Sequence, residues 1–125
     1  MQHPCRILIV EDDADQRELF ALALQTIADE VVSVEDAEQG LERLRREPFT
    51  VALTDWYLPG MMGDEFVRHA REEFPLLLLV LMSSHDHVRD TAHACEADGW
   101  FRKNDGVPRL RLLVNAVMSS KEPLA

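Results

Sequence analysis

The sequence has 125 residues, a net charge of −10 and 46% apolar residues. This length and apolar content predict one globular domain with a buried core. The acidic balance, without any cluster of lysine and arginine, argues against direct binding to nucleic acid. The longest apolar stretch, Leu76 to Met82, is too short to span a membrane and the N-terminus has no charged-then-apolar leader, so we expect a cytoplasmic protein without membrane contact.

Short β-rich apolar runs alternate with longer segments of helical spacing, which is typical of a parallel sheet with crossover helices. The predicted strands are Arg6–Glu11, Glu30–Glu35, Thr50–Asp55, Leu77–Met82 and Gly99–Arg102. The predicted helices are Asp15–Ile27, Ala37–Arg46, Asp64–Glu73, His87–Ala97 and Pro108–Met118. The pattern therefore predicts an α/β fold, a doubly wound five-stranded parallel sheet with helices on both faces. We expect residues 1–125 to form a single domain with its core at 6–118, followed by a short tail or linker stub at 119–125.

The first predicted helix has an amphipathic pattern. Its apolar stripe comprises Leu19, Phe20, Leu22, Ala23 and Ile27, and its outward face Gln16, Arg17, Glu18 and Gln25. We therefore expect the first set to be buried and the second to face solvent.

Three acids, Glu11, Asp12 and Asp13, follow the first apolar run directly. In an open α/β sheet, ligands bind at the carboxyl ends of the strands, where these residues fall. Crowded carboxylates repel, so they hold protons at neutral pH or share a cation. The segment by itself fits both a hard-metal site and an acidic turn that caps the next helix.

Asp55 ends the third run, just before a loop with Pro59-Gly60, and a carboxylate at a strand tip can act as a nucleophile. Attack on a phosphoryl group requires its equatorial oxygens to be neutralised, which Mg²⁺ and a lysine ammonium can do. Glu11 and Asp12, with Asp55 and a backbone carbonyl, would suit octahedral Mg²⁺. Lys103, after the fifth run, could contact a phosphoryl oxygen and pair with Asp55 at rest, although alone it also fits a surface lysine.

Two hydroxyls follow the fourth run and could donate to a phosphoryl oxygen. Ser83 is the first candidate and Ser84 its near competitor.

Taken together in this order, these segments resemble the receiver domain of two-component response regulators, the single-domain chemotaxis regulator being the closest type in size. The segments are Ile7-Leu8-Ile9-Val10-Glu11-Asp12-Asp13, Leu53-Thr54-Asp55-Trp56-Tyr57-Leu58-Pro59-Gly60, Ser83, and Gly99-Trp100-Phe101-Arg102-Lys103. The resemblance implies a flavodoxin-like (βα)5 fold with strand order 2-1-3-4-5. It also implies a domain that catalyses only its own phosphorylation and dephosphorylation.

By this resemblance, Asp55 would accept a phosphoryl group from a sensor histidine kinase or a histidine phosphotransfer protein. The implied cofactor is Mg²⁺ or Mn²⁺, with Asp12 as a direct ligand and Glu11 acting through water. The carbonyl of Tyr57 would complete the metal shell. Asp13 becomes a bystander or a helix cap.

The resemblance also assigns Ser83 and Lys103 to the phosphoryl oxygens and places the aromatic switch position at Trp100. Phosphorylation adds negative charge and acceptors, which would draw Ser83 inward and let Trp100 rotate. A downstream output protein or domain would bind the face of the fourth helix, fifth strand and fifth helix. Trp100 fits a half-buried strand aromatic equally well.

The chain departs from the family pattern beside the pocket. Asn104 follows Lys103 where receivers usually carry a cis proline, and a cis bond before a non-proline residue costs about 2.5–4 kcal/mol, so we expect a trans bond or a rearranged loop. Ser84 replaces a common alanine. Tyr57 and His85 occupy two positions that influence dephosphorylation in this family, and their bulk predicts a long-lived phosphoryl group.

Other functions fit parts of the sequence. A degenerate receiver could act as a docking module that needs no phosphorylation. An aspartyl-phosphate hydrolase would need a second acid where Tyr57 stands. A histidine metal site at His85 and His87 is less favoured than solvated loop histidines. Cys5 and Cys95 are expected to be ordinary thiols.

Overall fold

A computed structural model of the chain describes residues 4–120. The strands are β1 Arg6–Val10, β2 Glu30–Val34, β3 Val51–Asp55, β4 Leu78–Ser83 and β5 Gly99–Arg102. The helices are α1 Ala14–Leu24, α2 Ala37–Arg46, α3 Gly63–Glu73, α4 Val88–Ala94 and α5 Val107–Ser120, with a 3₁₀ turn at Lys103–Asp105. All neighbouring strands pair in parallel, in the order β2-β1-β3-β4-β5. The predicted fold class and strand order are confirmed.

The sheet separates two hydrophobic layers. Ile9, Leu53 and Phe101 face α1 and α5, whereas Leu8 and Leu81 face α2, α3 and α4. Successive strand side chains point to opposite faces, so a strand covered on both sides is apolar along most of its length. The central strands β1, β3 and β4 are buried along nearly their whole length, and their polar residues lie at the strand ends, at Arg6, Thr54, Asp55 and Ser83.

The prediction for the first helix is wrong at several positions. Leu19 is 50% exposed and Leu22 is 57% exposed, whereas Phe20 and Leu24 are buried. Gln16, which was expected to face solvent, is half-buried. The helix therefore rests on the sheet through a narrower stripe than the apolar pattern indicates, and its first turn reaches over the carboxyl edge of the sheet.

Two further features concern membrane-spanning helices and the cysteines. No helix within residues 4–120 is long and apolar enough to cross a membrane. Cys5 is a half-buried free thiol and Cys95 a buried one. Burial raises the pKa of both thiols, so neither has the lowered pKa of a reactive cysteine.

Candidate functional site

The strand register brings the predicted site residues to one edge of the sheet. Val10 lies opposite Thr54. The next residues, Glu11 just after β1 and Asp55 at the end of β3, therefore lie side by side. Ser83 ends the next strand, one residue beyond the partner of Asp55. Lys103 follows directly after Arg102, which lies opposite Ser83. Residues far apart in sequence therefore meet at the carboxyl edge because the four strands are parallel.

Three carboxylates form a cluster at this edge. Glu11, Asp12 and Asp55 each offer an oxygen, and these oxygens lie within 4.8 Å of one another. Glu11 is 1% exposed and Asp55 is 8% exposed, whereas Asp12 is open to solvent. A cation could therefore enter from the Asp12 side while two of its oxygen donors come from the protein interior.

The Lys103 ammonium lies among three oxygen acceptors. Its Nζ donates to Glu11 Oε1 at 2.6 Å and to Gln16 Oε1 at 2.6 Å. It lies 3.2 Å from Asp55 Oδ1, so the resting pair expected between these two residues is present. An ammonium has three protons, and each of them has an acceptor here.

Burial shifts the ionisation of both interior acids. It raises the pKa of Glu11, an effect that the hydrogen bond from Lys103 opposes and the charge of Asp55 reinforces. Burial also raises the pKa of Asp55. The charge of Lys103 again opposes this effect, and the charge of Asp12 reinforces it. One ammonium thus does not offset the cost of holding these carboxylates out of water. An added cation would lower that cost.

The start of α1 is tied to the acid cluster by side chains. Asp13 caps the helix, since its Oδ1 accepts from the Gln16 N–H at 3.0 Å, which fits the cap expected of it. Arg17 Nη1 donates to the Glu11 carbonyl at 2.8 Å. The sequence pattern placed Gln16 and Arg17 on the outer face and so missed both contacts. The available signal was Phe20, a buried residue four positions after Gln16 and therefore on the same helix face.

A serine and three aromatic rings lie at the ends of β3 and β4, at the same edge of the sheet as the acid cluster. Ser83 is buried, and its Oγ accepts from the His85 N–H at 3.0 Å, which leaves its hydroxyl proton for another acceptor. The Trp56 and Tyr57 rings stack with centroids 5.0 Å apart, and the Tyr57 and His85 rings lie 4.8 Å apart. We call Trp56, Tyr57 and His85 the aromatic rim. Ser84 lies outside this set and is exposed.

The loop after Lys103 has an ordinary backbone. Residues 4–120 contain no cis peptide bond, so the Lys103–Asn104 bond is trans as expected. Lys103–Asp105 form the 3₁₀ turn, and Gly106 follows it with φ 87°, a conformation that glycine adopts without strain. Trp100, the predicted switch residue, is half-buried on β5 and packs against the layer beneath α4.

Residues 7–114 match the family model described as "Response regulator receiver domain". The chain therefore belongs to the response regulator receiver domain family. Receiver domains of this family bind Mg²⁺ at an acidic pocket, and they interact with histidine kinases and output domains. The oxygen donors of Glu11, Asp12 and Asp55 are the kind that Mg²⁺ prefers, so the residues present fit such an ion.

Several relatives share this domain. The chain is 29% identical over 124 residues to the phosphate regulon transcriptional regulatory protein PhoB of Escherichia coli, covering 96% of this chain and 54% of PhoB. It thus spans about half the length of that relative. It is also 37% identical over 78 residues to the response regulator receiver protein CpdR of Brucella abortus, covering 62% of this chain and 65% of CpdR.

Solved structures agree in fold. The chemotaxis response regulator CheY4 of Vibrio cholerae superposes with a TM-score of 0.83 at 23% identity, covering 92% of this chain and 99% of CheY4. The response regulator TrrA of Thermotoga maritima, solved in complex with Mg²⁺-BeF, superposes with a TM-score of 0.82 at 25% identity, covering 90% of this chain and 98% of TrrA.

Proposed function

We propose that this receiver domain accepts a phosphoryl group on Asp55 from a sensor histidine kinase or a histidine phosphotransfer protein, with Mg²⁺ or Mn²⁺ as cofactor. One observation carries the proposal. The Asp55 carboxylate stands at a strand tip, within 4.8 Å of two other carboxylates and 3.2 Å from the Lys103 ammonium. A nucleophile, a cation site and a fixed positive charge are the parts that phosphoryl transfer requires.

In this reaction an Asp55 oxygen attacks phosphorus while the bond from phosphorus to the donor's imidazole nitrogen breaks, and that nitrogen keeps the electron pair. Lys103 exchanges its contact with Asp55 for a phosphoryl oxygen. Ser83 donates its hydroxyl proton to another oxygen. Asp12, Asp55 and the Tyr57 carbonyl, with Glu11 acting through water, would hold a divalent cation, which would supply further charge neutralisation. The domain acts on its own side chain rather than on a separate substrate.

The output step follows from the added charge. A phosphorylated Asp55 draws Ser83 inward, Trp100 rotates toward the space left beside β4, and the face of α4, β5 and α5 changes its affinity for a downstream output protein or domain. The short α4 supports this step. It has seven residues, no side-chain hydrogen bond at its N-cap, and only Val88 and Ala92 buried. We expect the exchange to take place in the cytoplasm.

The aromatic rim supports a long-lived phosphoryl group. The Tyr57 and His85 rings lie 4.8 Å apart, and the His85 N–H donates to Ser83 Oγ, so these bulky rings would restrict the approach of water to phosphorus. Replacing both with alanine should shorten the phosphoaspartate lifetime in Mg²⁺, measured by loss of label after removal of the donor. His93→Ala, on the exposed side of α4, is the control. A wild-type lifetime of seconds would rule out the shielding.

The proposed function is tested by incubating the protein with acetyl phosphate and Mg²⁺ and recording its intact mass. We expect the addition of one phosphoryl group to the wild type, no addition when EDTA is present from the start, and no addition to Asp55→Asn. Asp13→Asn, which keeps an oxygen acceptor for the α1 cap, should be labelled like the wild type. Folded wild-type protein that takes no label, from acetyl phosphate or from a phosphorylated donor protein, would overturn the proposal.

A further inference from the structure

We infer that Gln16 is a positioning residue that holds the Lys103 ammonium at the phosphoryl pocket throughout the reaction. This inference rests on the proposed phosphoacceptor function of Asp55. Gln16 Oε1 accepts from Lys103 Nζ at 2.6 Å, as short as the bond that Nζ makes to Glu11. An ammonium can only donate, so the amide oxygen of Gln16, and not its nitrogen, must face it.

Gln16 differs from the other two acceptors of Lys103 in being neutral. Glu11 and Asp55 both belong to the carboxylate cluster, so a bound cation competes with Lys103 for their charge. A phosphoryl group on Asp55 also changes the group that faces the lysine. The Gln16 amide lies outside the cluster and has no charge to share. It is therefore the acceptor that remains available to Lys103 in every state of the site.

The backbone of Gln16 is well fixed for this role. Its N–H bonds to the cap residue Asp13, and the neighbouring Arg17 bonds to the Glu11 carbonyl. Phe20 lies four residues further along the same helix face, and its ring centroid is 5.9 Å from Lys103 Nζ. The first turns of α1 thus contact the lysine at two points.

The loop that carries Lys103 makes such an anchor necessary. Lys103 begins a short 3₁₀ turn, followed by Asn104 and by Gly106 at positive φ, so no proline stiffens the backbone here. The lysine side chain has a flexible four-carbon stem, so its ammonium can move away from the pocket. Side-chain acceptors must then fix the ammonium, and Gln16 is the one on a helix rather than at a strand end.

The test compares the rate of Asp55 phosphorylation by acetyl phosphate at saturating Mg²⁺ in the wild type and in Gln16→Met. Methionine has a similar shape but no comparable acceptor. We expect the rate constant to fall at least about tenfold, the lower end of the usual effect of losing a hydrogen bond to a charged group. Gln25→Met, an exposed glutamine just after the end of α1, should leave the rate unchanged.

A double-mutant cycle separates positioning from a structural effect. In a Lys103→Met background, Gln16→Met should cause no further loss, because the lysine through which it acts is gone. An equal tenfold loss in that background, or an unchanged rate in Gln16→Met alone, would overturn the inference. An unlabelled wild type would instead count against the proposed function.

A second measurement does not depend on phosphorylation. The chain has two lysines, Lys103 and Lys121, so acetylation by acetic anhydride can be followed at each by peptide mass spectrometry, with Lys121 as the internal reference. If Gln16 holds the ammonium, Gln16→Met should raise the ratio of Lys103 to Lys121 labelling severalfold, and Gln25→Met should not. An unchanged ratio would overturn the inference whether or not Asp55 is phosphorylated.

Discussion

At the scale of single residues, Asp55 is close to two other acidic side chains. Glu11 and Asp12 carry two further negative charges within 4.8 Å, and Lys103 is the positive charge that contacts the cluster. Burial raises the pKa of Asp55 above its unfolded value, so the folded protein holds the proton more tightly. The stability from this group is therefore present below the unfolded pKa and is lost as pH rises through the folded one.

It follows that Asp55→Asn should stabilise the protein at neutral pH without Mg²⁺. Lys103 keeps Glu11 and Gln16 as acceptors, so no buried charge is left unpaired. We expect the free energy of unfolding in urea to rise by about 1 kcal/mol, the usual scale of a single substitution. The gain should shrink at acidic pH, where wild-type Asp55 is protonated.

The control for this prediction is Asp13→Asn, which removes one negative charge from the exposed cap while preserving its oxygen. It should change stability much less than Asp55→Asn. A destabilised Asp55→Asn protein at neutral pH would mean that the Lys103 pair outweighs the burial of the carboxylate.

The sequence predicts the residue types of the site but not all of their contacts. Glu11, Asp55 and Lys103 stand out because each lies at the end of an apolar strand or directly after one, and parallel strands bring their carboxyl ends together. Gln16 does not stand out, because helical periodicity indicates which face of a helix meets the sheet and not how far a helix start extends over the edge of the sheet. Its contact depends on the packing of α1, which the apolar pattern described incorrectly at Leu19 and Leu22.

At the scale of elements, most differences between sequence and structure lie at helix ends. The apolar pattern extended the fourth helix to Ala97, but α4 ends at Ala94. Glu96 N–H bonds to the His93 carbonyl and Ala97 N–H to the Ala92 carbonyl, a Schellman termination. Such an end usually carries glycine, and the sequence has glutamate there, so no local signal marks the stop.

Glu96 adopts φ 64°, which strains any residue with a Cβ. Glu96→Gly should therefore raise the free energy of unfolding by about 0.5–1 kcal/mol, after the greater freedom of glycine in the unfolded chain is deducted. Glu96→Gln, which removes the charge and keeps the strain, is the matched control in urea unfolding. Equal gains in both variants would assign the effect to charge instead.

The start of α3 is a second point where an element determines the site. Gly63 N–H bonds to the Trp56 carbonyl at 2.7 Å, and a Cβ on Gly63 would overlap the Asp55 carbonyl. Gly63→Ala must displace the backbone at Asp55 itself. We expect a loss of about 2–4 kcal/mol in unfolding free energy and slower labelling of Asp55. Gly60→Ala, where the Cβ has space but φ is 78°, should cost stability through backbone strain alone and leave labelling unchanged.

At the scale of the whole molecule, the net charge of −10 and the raised pKa values of Glu11 and Asp55 make cation binding and stability one linked equilibrium. At the proposed site, Mg²⁺ would bind the ionised carboxylates of the folded protein, and protons would compete for the same oxygens. The apparent affinity for Mg²⁺ should therefore fall as pH decreases through the raised pKa values. Added salt should also weaken binding, since it screens the field of the acidic surface.

This linkage predicts a rise in thermal stability with Mg²⁺ that is larger at neutral than at acidic pH. At a Mg²⁺ concentration one hundred times the dissociation constant, the gain should be about 2.7 kcal/mol. The measurement is differential scanning calorimetry over a Mg²⁺ series at both pH values, with Asp12→Asn/Asp55→Asn as control. The double variant keeps only Glu11 of the three clustered carboxylates and should gain little. A gain of equal size in that variant, or one that grows toward acidic pH, would place the stabilising cation elsewhere on the acidic surface.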